Sequence, residues 1–408
     1  MDKKLENIQL NMAILIHTFP LYSLTFIADE INELRRQGCL INIFSIRRPT
    51  AVEYPDAYIQ FKNETCYLFP VNKLLFCYRH VAVFLQHPLG YLKALFYVLS
   101  RRNLGISGKL KLFIYFAEAV YLYPLLKKSK CNHLHVHFMF GGAAIALILH
   151  KLCGFTYSMT AHGTDFLVKN QMLKEKMMHA SFVRVGTHFN AQFLQAILGD
   201  NYSQKIFVLP FGIDMDIIPK IKKQKTNAPL KIINIGRLVW QKGQLLLIEA
   251  IYNLRQIGYG FTVDIIGEGE MRSELEREIL AKGLSDVVKL HGALPRNKVM
   301  ESLADSDIFV FSSVSEGFGI VLLEAMLSGV AIVAPRLNGI PEIIEDEKTG
   351  KLFQVGSVSD LTLKIEELLI NPAKRDAIVQ NASIAVHEHF NQREKIAALF
   401  KKIHENYN

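Results

Sequence analysis

The chain is poor in cysteine. It has five in 408 residues (Cys39, Cys66, Cys77, Cys131 and Cys153) and no CxxC pair. An odd, scattered set argues against a disulfide framework or a cysteine zinc site, and it fits a reducing cytoplasm. Long apolar runs are also missing. No stretch reaches the roughly 18 uncharged, proline-free residues of a membrane-spanning helix. The nearest, Leu112–Leu126, is interrupted by Glu118 and Pro124. The first residues are polar and mixed in charge. The short apolar run after them, Met12–Ile16, reads as a strand and not as a secretory signal. Acidic residues are scarce in one half only. Residues 1–210 hold 12 acids against 23 Lys and Arg, and residues 211–408 hold 26 against 24. The formal net charge of +9 therefore belongs to the first half, where an anionic partner is expected.

Half the residues are apolar, 21% are charged, and the length suits two domains. Short β-rich runs alternate with longer helical patterns. In the first half, strands are expected at Asn11–Ile16, Leu40–Ser45, His133–His137, Tyr157–Thr160 and Phe182–Val185. In the second they are expected at Lys231–Ile235, Thr262–Ile266, Val287–Leu290, Ile308–Phe311 and Ala331–Ala334. Helices are expected between them, among them Ser23–Gln37, Gly142–Leu152, Gly243–Gln256 and Gly319–Leu327. Such alternation implies α/β architecture: two doubly wound parallel sheets, each covered by helices, with ligand sites at the carboxyl ends of the strands. The expected division is residues 1–212, a linker over 213–229 that is polar and Lys-rich, residues 230–385, and a final helix over 386–408 that crosses back to the first domain.

Two loops in the second half carry the chemistry. Gly236-Arg237-Leu238-Val239-Trp240-Gln241-Lys242-Gly243 lies between a strand and a helix. Arg237 and Lys242 can converge there on one anion, helped by the helix N-terminus. Ser315-Glu316-Gly317-Phe318-Gly319-Ile320-Val321-Leu322-Leu323-Glu324 also leads from a strand into a helix. Gly317 and Gly319 permit backbone N–H groups to approach a diphosphate or a sugar. Glu324 sits among Leu323, Ala325 and Met326, so its carboxylate needs partners, which a ribose hydroxyl pair would supply; the alternative is a solvent-facing position.

Glu316 and Glu324 form an E-x7-E pair. With the G-R-L-x3-K-G loop, Ile266-Gly267-Glu268-Gly269-Glu270, Leu290-His291-Gly292, Ala304–Val310 and Asn338-Gly339-Ile340-Pro341-Glu342, the second half resembles retaining glycosyltransferases of the family 4 type. The resemblance implies a GT-B fold, two Rossmann-like domains facing across a deep cleft, with a nucleotide-sugar donor as substrate and neither cofactor nor essential metal. It implies that Arg237 and Lys242 hold the diphosphate. Glu324 would bind the ribose, and Glu316 with Gly317, Phe318, Gly319, Ile320 and Val321 would contact the donor. Gly267 and Leu294 would line the same site, with His291–Pro295 near the base. In the first half, Thr160-Ala161-His162-Gly163-Thr164-Asp165-Phe166 resembles the family's A-H-G/A-x-D segment. It implies that His162 reaches the transferred sugar or its phosphate, with Asp165 orienting it or starting a helix. His17–Ile27 resembles the F-P-x-x-S-E-T-F-I pattern of exopolysaccharide and colanic-acid-type enzymes, with Leu24 in place of Glu. Pro210-Phe211-Gly212-Ile213-Asp214 resembles the P-N-G-[IV]-D hinge, with Phe211 for Asn.

The catalytic set implied is His162, Glu316, Arg237 and Lys242. The activity implied is transfer of a sugar, with retention, from a UDP- or GDP-sugar to a hydroxyl of a lipid-linked polysaccharide or lipopolysaccharide precursor. A GT-B nucleotide-sugar epimerase or a non-catalytic nucleotide-sugar-binding subunit are the alternatives. His133, His135 and His137 alternate along one strand and face one side, as a zinc site would need. No nearby carboxylate or fourth His completes that set, so no metal is expected. Asp214-Met-Asp216 and Asp305-Ser-Asp307 are D-x-D strings, placed in the hinge and before a strand. Lys73–Lys130 holds ten Lys and Arg against Glu118 alone, interleaved with eleven Phe and Tyr. This helical insertion suits the surface of an anionic membrane, and no nucleic-acid motif accompanies it. A cytoplasmic, peripheral location on the membrane's inner face is expected.

Overall fold

The computed structural model describes residues 10–21, 24–50, 59–101, 104–163, 165, 172–217 and 229–406. Tyr22 and Ser23 of the first loop, Thr164 and Phe166, and most of the linker lie outside them. Two compact units result. One comprises Met1–Gly186, Asn190–Leu209 and Arg393–Asn408; the other comprises Thr187–Phe189 and Pro210–Gln392.

The first unit runs β1 (Asn11–Thr18), α1 (Thr25–Arg36), β2 (Leu40–Arg47), α2 (Ile59–Glu64), β3 (Cys66–Tyr67), α3 (Lys73–Gln86), α4 (Pro88–Leu99) and α5 (Ile106–Lys128). It continues through β4 (His133–His137), α6 (Gly141–Cys153), β5 (Thr156–Thr160), α7 (Leu173–His179), β6 (Val183–Val185), α8 (His188–Leu198) and β7 (Ile206–Val208). The seven strands are parallel, in the order β3-β2-β1-β4-β5-β6-β7. Alternation on β4 explains its place at the centre. Leu134 and Val136 enter the apolar core on one face, while the three histidines occupy the other. Helix α6 is apolar nearly all round because it is buried nearly all round. It ends at Gly154, whose φ of +74° suits the left-handed cap.

The second unit runs β8 (Leu230–Ile235), α9 (Gln244–Ile257), β9 (Phe261–Ile266), α10 (Arg272–Ala281), β10 (Val288–Gly292), α11 (Arg296–Ala304), β11 (Ile308–Val310), α12 (Ile320–Ser328), β12 (Ala331–Pro335), β13 (Lys351–Phe353), α13 (Val358–Ile370) and α14 (Pro372–His389). Its six parallel strands follow the order β10-β9-β8-β11-β12-β13, the doubly wound arrangement with its switch point between β8 and β11. Ser357 caps α13 by accepting from the Asp360 N–H, and Asn371 caps α14 ahead of Pro372.

The last helix, α15 (Gln392–Glu405), belongs to the first unit. Its Ile396, Leu399 and Ile403 are buried with Met12, Ile14, Ile27 and Ile31 of β1 and α1. Leu24, at the Glu position of the resembled pattern, is buried in the same cluster. In this chain the side chain at that position supplies packing and, being aliphatic, cannot take up a carboxylate's hydrogen bonds.

Candidate functional site

The loops after β8 and β11 leave the sheet on either side of the second unit's switch point. Three glycines keep the first of them folded. A Cβ on Gly243, at φ +60°, would lie 2.2 Å from the Ser312 carbonyl oxygen. One on Gly267 would lie 1.9 Å from the Gly236 oxygen, and one on Gly269 would lie 2.3 Å from the Leu238 oxygen. Backbone thus packs on backbone, and only glycine allows it. Gln244 donates to the Arg237 carbonyl at 3.0 Å, and Ser312 Oγ donates to the Lys242 carbonyl at 2.8 Å. The second loop is tied to the first where Val314 N donates to the Gln241 oxygen.

These ties bring Lys242 Nζ to 2.5 Å from Glu316 Oε2. The other Glu316 oxygen accepts from the Gly317 N–H at 3.0 Å, and Asn338 Nδ2 donates to the Glu316 carbonyl at 2.8 Å. Lys242 also lies over the Phe311 ring at 5.4 Å. The structure therefore joins Lys242 and Glu316, 74 residues apart, into one charged pair. Gly319, at φ +83°, turns the chain into α12. The Phe318 ring points inward, against Phe211 at 5.0 Å, so only its backbone is left to meet a ligand. Phe211, at the hinge's usual Asn, is that ring's partner. Ile320, Val321 and Leu294 are half-buried against the same core.

Glu324 is not a solvent-facing helix residue. Its side chain is 13% exposed, and Arg296 at the start of α11 lies 3.5 Å away. Arg296 had no local signal, being 28 residues from its partner. His291 is held by Asp264 at 2.6 Å, and Asp264 also pairs with Lys231 at 3.0 Å. Asp305 and Asp307 sit at the opposite strand ends. Asp305 pairs with Lys231, and Asp307 accepts from the Lys231 N–H. Asp214 accepts from the Asp216 N–H.

In the first unit the β4–β5 register places His133 beside Thr156, His135 beside Ser158 and His137 beside Thr160. Ser158 Oγ lies 2.7 Å from His133 Nε2 and 2.8 Å from His135 Nδ1, and Thr160 Oγ1 lies 2.8 Å from His135 Nε2. The expectation that no carboxylate or fourth histidine approaches this strand is overturned. Glu30, from the inward face of α1, places Oε1 3.4 Å from His137 Nε2, and His162 Nε2 meets His137 Nδ1 at 3.2 Å. Sequence separation of 107 residues hid the carboxylate, whereas His162 lies only 25 residues from His137. Glu30, His135 and His137 come close enough to share an ion. Glu30 Oε1 and His137 Nε2, 3.4 Å apart, have no hydrogen-bond partner among the described residues, but the rest of the set is engaged. Glu30 Oε2 accepts from Arg184 at 2.7 Å, the His135 nitrogens face the two hydroxyls, and the guanidinium opposes a second cation.

Burial first, then its neighbour His137, holds the His162 pKa well below the ordinary imidazole range. It is a neutral hydrogen-bonding group at neutral pH. Burial alone would raise Glu30, but Arg184 and His137 draw it far below the usual carboxylate range. Asp165 holds two backbones at once: Oδ1 accepts from Met139 N and Oδ2 from His162 N, each at 2.8 Å. Burial pushes its pKa up to about 7 despite those bonds. Its part is to fix the loops after β4 and β5, and with them the His162 backbone.

Residues 216–384 match the family model described as glycosyl transferases group 1. The amylovoran biosynthesis glycosyltransferase AmsK of Erwinia amylovora is 32% identical over 196 residues, 47% of this chain and 48% of the relative. The putative colanic acid biosynthesis glycosyltransferase WcaL of Escherichia coli strain K12 is 31% identical over 197 residues, with the same two shares. The chain spans about half the length of the curated relatives it matches. Among solved structures, a glycosyltransferase from Rickettsia africae ESF-5 gives a TM-score of 0.70 at 16% identity, covering 98% of this chain and 99% of that one. Anabaena HepE in complex with UDP and glucose gives 0.70 at 16%, covering 97% and 100%. These likenesses show the fold, GT-B, and the relatives agree with the resemblance to exopolysaccharide and colanic-acid-type enzymes read from the loops. Two loops on one switch point, a Lys–Glu pair across them and this set of relatives point the same way: residues 216–384 match the glycosyl transferases group 1 model, on a chain whose fold is GT-B.

Proposed function

We propose that the chain transfers a sugar, with retention, from a UDP- or GDP-sugar to a hydroxyl of a lipid-linked polysaccharide precursor in exopolysaccharide synthesis. The observation that carries this reading is the meeting of the Arg237–Lys242 and Glu316–Gly319 loops, where Lys242 is already paired with a carboxylate. A diphosphate arriving there competes with Glu316 for Lys242. It accepts charge-assisted bonds from Lys242 and Arg237 and gains the positive end of α9. As the glycosidic bond breaks, charge grows on the leaving diphosphate, and the same groups stabilise it. Glu316, released, is available to the donor sugar. Glu324, steadied by Arg296, accepts from the ribose hydroxyls. His162, neutral, donates or accepts a hydrogen bond at the sugar without placing a cation beside an oxocarbenium-like centre. Front-face retention, with the departing phosphate taking the acceptor's proton, needs no protein nucleophile. On this reading Arg237 and Lys242 supply the positive charge that a metal would otherwise bring, so EDTA should leave transfer unchanged, and a collapse restored by Mn²⁺ would overturn that point.

A thermal-shift panel of UDP- and GDP-sugars is the direct test. A true donor at 100 times its Kd adds about 2.7 kcal/mol to the stability of the state that binds it. The expected result is a shift with one base, followed by slow hydrolysis of that donor to nucleotide and free sugar. No shift across the panel, or a shift with donor epimerisation in place of hydrolysis, overturns the reading.

A further inference from the structure

The insertion expected to present mixed basic and aromatic side chains is arranged otherwise. Its aromatic residues largely turn inward, where Tyr91 meets Phe116 at 5.1 Å and His80 bonds both the Tyr91 hydroxyl and the Ala117 carbonyl. What faces outward is mainly aliphatic. On α3, Leu74, Tyr78, Val81 and Leu85 are exposed at spacings of four, three and four. On α4, Leu89, Leu92, Phe96 and Leu99 repeat at three, four and three. On α5, Ile106, Leu110 and Phe113 follow at four and three, with Ile114 beside them. Each series is one stripe of a helix. In a globular protein such a stripe faces the core, and here all three face out, with Leu89 at 83% and Ile106 at 89% exposure. Scattered exposed leucines are ordinary, but three successive helices with apolar outer stripes are not.

Charge says what covers them. Lys73, Lys93, Lys109 and Lys111 are exposed along the same helices. The only acid between residues 73 and 130, Glu118, is buried and paired with Arg47 at 3.1 Å. An apolar face with a cationic surround and no acid fits the boundary between the headgroups and acyl chains of an anionic bilayer. Length argues against a span. Among the described residues no single helix is long and apolar enough to cross, and α3 and α4 qualify only as a pair bent by 114°. Their 14 and 12 residues measure roughly 20 Å each, short of a hydrocarbon core about 30 Å thick.

We propose that α3, α4 and the first half of α5 form a monotopic membrane-docking face, which inserts its aliphatic stripes below the phosphates of an anionic bilayer while its lysines engage them. The proposal stands whether or not the chain transfers a sugar. The test is flotation of the full chain with phosphatidylcholine vesicles and with equimolar phosphatidylcholine and phosphatidylglycerol vesicles. Binding to the anionic vesicles should exceed binding to the neutral ones by about tenfold or more. Lys93→Glu with Lys109→Glu should remove most of that difference. Leu89→Ser with Leu92→Ser and Phe96→Ser should cut binding by at least about tenfold while the circular dichroism spectrum and melting temperature hold, since these side chains are exposed. A wild-type chain that stays unbound to both vesicles, or a triple variant that binds as well as wild type, overturns the proposal. So does a wild-type dimer in light scattering that the triple variant dissociates, because a second copy of the chain would then be what covers the face.

Discussion

At the scale of single residues, the pairing of Lys242 with Glu316 makes the two side chains interdependent. Lys242→Ala should lower transfer by on the order of a hundredfold or more, because it removes a charge-assisted donor from the developing anion. It should also free Glu316, so a donor titration should show weaker binding as well as slower turnover. Near wild-type kinetics would sink the assignment. Gly243→Ala tests the backbone. Its Cβ would collide with the Ser312 carbonyl oxygen at a positive φ, so the loops must separate. A loss of roughly 1–3 kcal/mol is expected, read as a lower melting temperature. The two loops that hold Arg237, Lys242 and Glu316 were legible in the sequence because each is a compact connection between a strand and a helix. Arg296 and Glu30 were not, because their partners are supplied by chain that returns from far away. The same distance concealed that Glu324 has a protein cation beside it.

Among elements, β4 shows how a pattern can be read correctly while its surroundings stay hidden. The alternation His-Leu-His-Val-His gave the strand's bounds and its two faces. The hydroxyl ladder of β5, the carboxylate of α1 and the guanidinium of Arg184 could not be inferred from it. Burial pushes His133 down from 6.5 to about 4, and His135 and His162 lie well below their ordinary value. Each is neutral when folded and binds a proton more readily when unfolded. Stability is therefore complete above pH 6.5 and falls as the pH drops toward 4, with His133 alone contributing on the order of 3 kcal/mol. Asp165, raised to about 7, has the opposite slope and offsets part of the loss. Melting temperature should drop between pH 7 and pH 5, and His133→Gln should flatten that drop; a curve level across this range would contradict the assignment. Strands β3, β7 and β13, of two or three residues each, escaped the sequence reading. The outward leucines of α3 and α4 escaped it because periodicity identifies a stripe without saying whether it faces inward.

For the molecule as a whole, two doubly wound sheets follow from the alternation of strand and helix, and that much of the fold was open to reading. The place of α15 rests on the burial of Ile396, Leu399 and Ile403 in the first unit's core. Leu399→Ala should remove about 2–5 kcal/mol from that unit. Hydrogen exchange should report faster exchange in β1 and α1, with the second unit's strands unaffected; uniform exchange across both units would count against it. The same helix sets a timetable for synthesis. The opening half of the chain leaves the ribosome with one side of its core uncovered, and its cover is encoded about 180 residues later, beyond the whole second unit. At 5–20 residues per second the wait is roughly 10–40 s, during which Met12, Ile14 and Ile31 remain open to water or to a chaperone. A nonsense codon just ahead of α15 would thus strike hardest at the first unit, whose strands were made long before it.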